Sequence, residues 1–327
     1  MRVLVAGAGS IGTRHIKNLV DLGHEVYASD IKDECLKAAA PLVKGTFTSL
    51  DDALKVSPQA AFICTFSGSH IEPAIKCAQA GCHIFIEKPL SIDLNGVDEL
   101  IETAERKNLI TMVGCNMRFH PAVAHIKGVL DNDLSFAKRL WANLECGYYL
   151  PFAKKAYESS YMARRSLGGD IIFDVIHELD YAVWFFGEPA EVFCTKGILS
   201  GLKIDTEDYA DMMIRFKSGV VCVIHMDYLQ HGYSRRCKVV AEGGTVVWDF
   251  AQGNIGTVTV SNRQWQWKEL SLEILYNRMY VDEIMYFTDC VLSAKETFNT
   301  LRGAVSVLKL ALAADRSCYT NKWERIA

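Results

Sequence analysis

Gly7-Ala8-Gly9-Ser10-Ile11-Gly12 forms a G-x-G-x-x-G loop at the start of a 327-residue chain, the spacing of a dinucleotide phosphate cradle. Gly7 permits a tight turn, Gly9 lets the backbone approach a pyrophosphate, and Gly12 lets the following helix pack on its strand. Ser10 and Ile11 open that helix, where free backbone amides and the helix dipole favour an anion. Asp30 ends a second apolar run 18 residues after Gly12. An acid there accepts hydrogen bonds from ribose hydroxyls and repels a 2′-phosphate, so NAD is the expected cofactor. Lys32 could tolerate such a phosphate, which keeps NADP open, although a solvated surface charge is its plainer reading.

Lys88, in Glu87-Lys88-Pro89, follows another apolar run. At the carboxyl end of a parallel strand it would face the cofactor crevice, and an ammonium there can polarise a carbonyl or share an alcohol proton. Further on, Gly168-Gly169 precedes a segment read as one helix from Asp170 to Phe186. At about 100° per residue, Asp170, Asp174, His177 and Tyr181 share a stripe opposite the apolar arc. The plain reading is a solvated acidic face; carboxylates mixed with imidazole and aromatic rings read equally well as a pocket wall. Imidazole titrates near neutrality and suits the removal of an alcohol proton as hydride leaves. Asp174, three residues earlier, could orient the His177 ring. Tyr157 to Tyr161 with Arg164-Arg165 form a polar loop in which Tyr161 and Arg164 could contact ligand hydroxyls, a carboxylate or a phosphate; a simple surface loop is an equal alternative.

The elements that must position these groups change character near Arg118. Before it, apolar runs at Val3–Ala6, Glu25–Ser29, Ala60–Thr65, His83–Ile86 and Ile110–Cys115 alternate with helices, which predicts right-handed βαβ units and a parallel sheet. After it, alternating strands dominate from Lys138 to Ser261, with a tight hairpin at Gly243-Gly244, and helices near Tyr276–Leu292 and Thr297–Ala314 close the chain. The expected fold is α/β: a doubly wound Rossmann domain over residues 1–118, then an α+β domain over 119–327 with a large, mostly antiparallel open sheet. That second domain is expected to bind substrate and, because an open sheet must bury its exposed face, to form a homodimer or homotetramer.

Composition narrows the class. The balance of 35 basic and 39 acidic residues gives no field for nucleic acid and no polybasic membrane patch. The 11 cysteines are scattered without a Cys-x-x-Cys pair, against a disulfide framework and a thiolate metal site; no metal is expected. No apolar run is long enough to span a bilayer, and a first strand beginning at Arg2 leaves no room for a signal peptide, so a cytoplasmic location is expected.

Taken in order, these motifs resemble the glucose-fructose oxidoreductase / inositol dehydrogenase / rhizopine-catabolism (Gfo/Idh/MocA) family. The resemblance covers essentially the whole chain: the glycine loop, Ile63-Cys64-Thr65 followed by His70, Ala80-Gly81 before Glu87-Lys88-Pro89, Asn116-Met117-Arg118-Phe119-His120-Pro121, and Gly168-Gly169 before a histidine-bearing helix. It implies a nicotinamide cofactor and a sugar, sugar acid, cyclitol or nucleotide-sugar substrate. By the same resemblance Lys88 contacts cofactor and substrate, Thr65, His70 and Glu87 line the cofactor, Asn116 and Arg118 lie near the nicotinamide side, and His177 is the acid/base. Two positions depart from the pattern. Phe66 replaces the usual proline, and the acid before His177 lies three residues away, not four. His177-Glu178-Leu179-Asp180-Tyr181 looks like a subgroup linked to sialic-acid-type and surface-polysaccharide sugars. A redox-neutral, NAD-dependent cleavage or epimerisation and a non-catalytic nucleotide sensor are the alternatives to a simple dehydrogenase.

Overall fold

The computed structural model describes residues 1–250 and 255–326, and the chain divides into two compact units. The first holds residues 1–116 and 277–308; the second holds residues 117–276 and the chain from 309 onward.

The first unit is built on a six-stranded parallel sheet: β1 (Arg2–Ala6), β2 (Glu25–Ser29), β3 (Gly45–Phe47), β4 (Ala60–Ile63), β5 (His83–Glu87) and β6 (Thr111–Gly114). The strand order is β3-β2-β1-β4-β5-β6. Val3, Leu4 and Val5 of β1 and all four residues of β4 are fully buried, as expected where helices cover both sheet faces. Order reverses where β1 meets β4, the point at which open α/β sheets receive ligands beyond their carboxyl ends. Phe62 and Phe85 stack at 4.4 Å, and Phe287 from the helix Tyr276–Ser293 meets both rings edge-on at 5.6 Å. The segment after that helix closes the β6 edge. The Val113 amide donates to the Asn299 carbonyl at 2.9 Å, Asn299 Nδ2 donates to the Val113 carbonyl at 2.7 Å, and Thr297 Oγ1 donates to the Thr111 carbonyl at 2.6 Å.

The second unit is built on a nine-stranded sheet of order β14-β13-β12-β11-β7-β10-β9-β8-β15. Its strands are β7 (Arg139–Gly147), β8 (Pro189–Gly197), β9 (Tyr209–Phe216), β10 (Val221–Asp227), β11 (Ser234–Ala241), β12 (Gly244–Phe250), β13 (Ile255–Asn262), β14 (Trp267–Glu273) and β15 (Glu324–Arg325). Every pairing is antiparallel except β7 with β10. The Gly243-Gly244 hairpin joins β11 to β12 as expected.

Three local readings differ. The helix expected from Asp170 to Phe186 is two pieces, Ile171–Asp174 and His177–Phe186, parted at Val175-Ile176. The second piece is not amphipathic: Glu178, Asp180 and Tyr181 are as buried as Leu179. The last helix runs Leu301–Thr320, because residues 297–299 are engaged on β6. Among the described residues no helix is long and apolar enough to cross a membrane.

Candidate functional site

In the first unit the expected cofactor residues gather at the carboxyl ends of adjacent strands. Gly7 follows β1, Asp30 follows β2, Thr65 lies just beyond β4, and Lys88 follows β5. The glycines meet distinct constraints. A Cβ on Gly7, whose φ is +95°, would sit 2.5 Å from the Cys64 carbonyl oxygen, and one on Gly12 would sit 1.8 Å from the Gly7 carbonyl oxygen. A Cβ on Gly9 would meet nothing within 4 Å. The backbone at Gly9 is thus open to a close approach while its neighbours are closed, which fits a pyrophosphate on the helix Ser10–Asp21.

Asp30 is tied to that loop. Its Oδ2 accepts from the Ala8 amide at 2.7 Å and its Oδ1 from the Lys32 amide at 2.8 Å. These bonds fix the carboxylate and leave further acceptor sites on both oxygens for a ribose diol. The Lys32 ammonium lies 5.5 Å from the Phe66 ring centroid, a cation–π placement on the exposed ring that stands where the proline was expected.

His70 is buried and staples the loop to the Lys88 turn. Nδ1 lies 2.8 Å from the Pro89 carbonyl oxygen and Nε2 3.1 Å from the Thr65 carbonyl oxygen, while burial holds its pKa below the usual value. Thr65 Oγ1 donates to the Ser69 carbonyl at 2.9 Å. The Lys88–Pro89 peptide is cis, and Glu87 anchors it from below: Oε2 accepts the Lys88 amide at 3.1 Å and Oε1 lies 2.5 Å from His15 Nε2. His15 was not singled out from sequence. The available signal was an imidazole three residues after Gly12 on the core face of the helix. Asn116 is buried where a 3-10 turn, Asn116–Phe119, begins.

In the second unit Asp174 is the centre of a phenol cluster. Its Oδ2 accepts from Tyr148 and Tyr228, each at 3.0 Å, and its Oδ1 accepts a short bond from Tyr161. Burial first, then the Asp174 charge, push Tyr148 and Tyr228 well above the usual phenol range, so both stay donors. Tyr161 reaches Asp174 because its loop wraps the diglycine. A Cβ on Gly169 would sit 2.2 Å from the Tyr161 carbonyl oxygen and 2.8 Å from that of Arg164. Gly169→Ala must therefore displace Tyr161. If Tyr161 binds sugar, this variant raises the KM for sugar by about tenfold or more, the worth of one hydrogen bond to a charged partner, and leaves cofactor titrations unchanged. Equal weakening of both would show general unfolding instead. Arg164 is exposed, its guanidinium 4.0 Å from Asp205.

His177 is half-buried at the first turn of its helix. Buried ion pairs on the following residues hold that helix. Arg235 grips Glu178 with two bonds at 2.7 and 3.0 Å, and Arg118 grips Asp180 at 2.9 and 2.8 Å. Arg118 also lies 5.3 Å from the Trp184 ring centroid. Asp170 caps the preceding piece, accepting from the Ile172 amide at 2.7 Å and pairing with Lys196 at 2.5 Å. Burial raises the Asp170 pKa despite that cation. His120 caps the helix Pro121–Asn132, and burial, reinforced by the Arg235 charge, pushes it down to about 3.

A parallel sheet with a glycine cradle at its switch point and an acid fixed after the second strand defines an NAD-binding Rossmann oxidoreductase. Sequence comparison gives the family. Residues 1–115 match the model described as oxidoreductase family, NAD-binding Rossmann fold, and residues 140–247 match the GFO/IDH/MocA C-terminal domain. The chain belongs to the GFO/IDH/MocA family. It is 27% identical over 334 residues to a myo-inositol 2-dehydrogenase of Thermotoga maritima, covering 97% of this chain and 96% of that one. It is also 27% identical over 242 residues to a UDP-N-acetylglucosamine 3-dehydrogenase of Acidithiobacillus ferrooxidans, covering 73% and 71%. The fold matches a levoglucosan dehydrogenase solved with NADH and levoglucosan at a TM-score of 0.89 and 19% identity, covering 100% and 99% of the two chains.

Proposed function

We propose that this protein is an NAD-dependent dehydrogenase that oxidises a secondary hydroxyl of a cyclitol or sugar, or reduces the matching ketone. The observation that carries this reading is Lys88, which follows β5 on the same sheet edge as the glycine cradle, its amide bonded to Glu87 and the next residue's carbonyl, that of Pro89, held by His70. Gly7, Gly9, Ser10, Ile11, Gly12 and Asp30 would hold the dinucleotide, with Thr65, His70 and Glu87 shaping its floor and Asn116 and Arg118 towards the nicotinamide. NAD supplies the acceptor for the hydride leaving the carbinol carbon. Lys88 donates a hydrogen bond to the reacting oxygen, and His177 takes the hydroxyl proton. Asp174 and Tyr161, with Arg164 at the loop, bind neighbouring hydroxyls; fixed donors and a fixed carboxylate suit a polyol better than an apolar alcohol. The names of the relatives support the substrate class: they act on an inositol and on a nucleotide sugar.

A panel of inositols, aldoses, sugar acids and nucleotide sugars with NAD tests this directly. Stoichiometric NADH is expected; substrate conversion without NADH would assign the redox-neutral cycle instead. Asp30→Ala should weaken NAD by about 10–100-fold, as expected for lost hydrogen bonds to a charged acceptor, and narrow the gap to NADP. An unchanged preference would remove Asp30 from the ribose site.

We further infer a homodimer or homotetramer through the nine-stranded sheet. One face of β7, β10 and β9 presents Trp141 and Met213, 36% and 41% exposed, paired with Val221 and Val223 on either side of β10. Light scattering reads the mass, and a monomer at micromolar concentration would exclude this assembly.

A further inference from the structure

The least expected charge in the first unit is Glu283, on the helix Tyr276–Ser293. It is completely buried, and among the described residues neither carboxyl oxygen has a hydrogen-bond partner. Ligating atoms of His15, Glu87 and Glu283 lie within 4.8 Å of one another. Glu87 is the satisfied member: one oxygen meets His15 Nε2 at 2.5 Å and the other takes the Lys88 amide at 3.1 Å. With Nε2–H donating to Glu87, His15 Nδ1 is a bare acceptor, and it too lacks a partner. Two carboxyls thus share one imidazole, and among the described residues no lysine or arginine is bonded to either Glu283 oxygen. Two buried carboxylates so close cannot both ionise cheaply. The other titratable groups around them offer no relief. Cys64 is a buried thiol raised by burial and by both glutamates, and His70 is occupied by two carbonyls. The Arg14 guanidinium lies over the Tyr280 ring at 4.5 Å. A divalent metal is the other device that gathers such residues, but 2.5 Å between His15 and Glu87 is a direct hydrogen bond; two ligands on one ion at about 2.0–2.2 Å stand farther apart.

We propose that Glu283 is held as the neutral acid beside Glu87, and that with His15 it is a positioning residue for the turn that carries Lys88. A neutral Glu283 leaves Glu87 as the sole anion, free to hold His15 and the Lys88 amide together. Ionised, it would repel Glu87 and compete for the His15 proton, loosening the turn from beneath. Burial and the Glu87 charge both raise the Glu283 pKa well above its ordinary 4.5, in line with this arrangement. The positioning half rests on the role given to Lys88 above; the neutral acid does not.

The test uses the full-length protein with Glu283→Gln, a neutral isostere, and Glu283→Ala. The folded form binds a proton that the unfolded chain releases above the carboxylate range, so wild-type stability falls as pH rises towards the folded pKa. The thermal midpoint of Glu283→Gln should therefore gain on wild type steadily as the pH rises above the ordinary carboxylate range, and a protonated-carboxyl infrared band should vanish in it. Parallel midpoints with no lost band would overturn the neutral acid, as would one equivalent of divalent metal in the purified protein. In kinetics, Glu283→Ala should lower kcat about 10-fold or more, the scale of sub-ångström misplacement, with the KM for NAD unchanged, and Glu283→Gln should restore it. If the alanine variant does not fold, His15→Gln serves in its place. Wild-type kcat in the folded variants would overturn the positioning role. Absence of turnover in the wild type itself would refute the dehydrogenase reading and leave the stability and infrared results to decide the neutral acid.

Discussion

His177→Ala and Lys88→Ala should each lower kcat on the preferred polyol by about 10²–10⁴-fold, the usual contribution of a positioned acid or base, while NAD binding followed by fluorescence stays within a few-fold. The expectation rests on what surrounds each residue. Lys88 sits on a turn fixed at Glu87, Pro89 and His70, so its loss removes a charge and leaves the cradle standing. His177 opens a helix held by buried ion pairs at Glu178 and Asp180, so the imidazole can be removed without releasing the helix. Asp174→Asn separates the two functions of that region. It keeps the shape of the side chain but loses the charge the three phenols point at and turns one accepting oxygen into a donor, and should raise the KM for sugar more than it lowers kcat. Normal turnover in both alanine variants would sink the assignment of the chemistry.

Arg235→Ala is the corresponding stability experiment. Glu178 is fully buried and Arg235 is its bidentate partner, itself bonded to Tyr233 at 3.1 Å. Removing one member strands the other in a low-dielectric interior, at a cost of about 3–5 kcal/mol, read as a drop in urea midpoint. Replacing both with apolar residues of similar volume, Glu178→Leu with Arg235→Met, should recover most of that loss, because no charge is then left uncompensated. A double variant as weak as the single one would mean that Arg235 acts through packing rather than charge.

What could be read from sequence was what depends on neighbours along the chain. The glycine loop, Asp30 and Glu87-Lys88-Pro89 lie at strand ends because short-range patterns place them there. The break at Val175-Ile176 left no such sign, since the apolar pattern runs through it, and the polar stripe there read as either a solvated face or a pocket wall, not as buried ion pairs. Their partners, Arg118 and Arg235, lie 62 and 57 residues away. His15 and Glu283 were invisible for the same reason. A polar residue on the core face of a helix means nothing until the residue opposite is known, and here that residue arrives from a distant segment. Strand β14 escaped because almost all of it is exposed, on the outer edge of the sheet.

The β6 edge has a consequence for how the protein is made. The backbone that seals it, and the helix bearing Phe287 and Glu283, belong to residues 277–308. At about 5–20 residues per second the ribosome needs roughly 10–40 s to travel from Asn116 to Leu308. Throughout that interval the nascent nucleotide-binding unit carries an open strand edge and an uncovered Phe62–Phe85 pair, both invitations to intermolecular pairing. A gene fragment ending near residue 116 encodes that same unfinished object, and it should aggregate on expression although every cofactor motif but Arg118 is present in it.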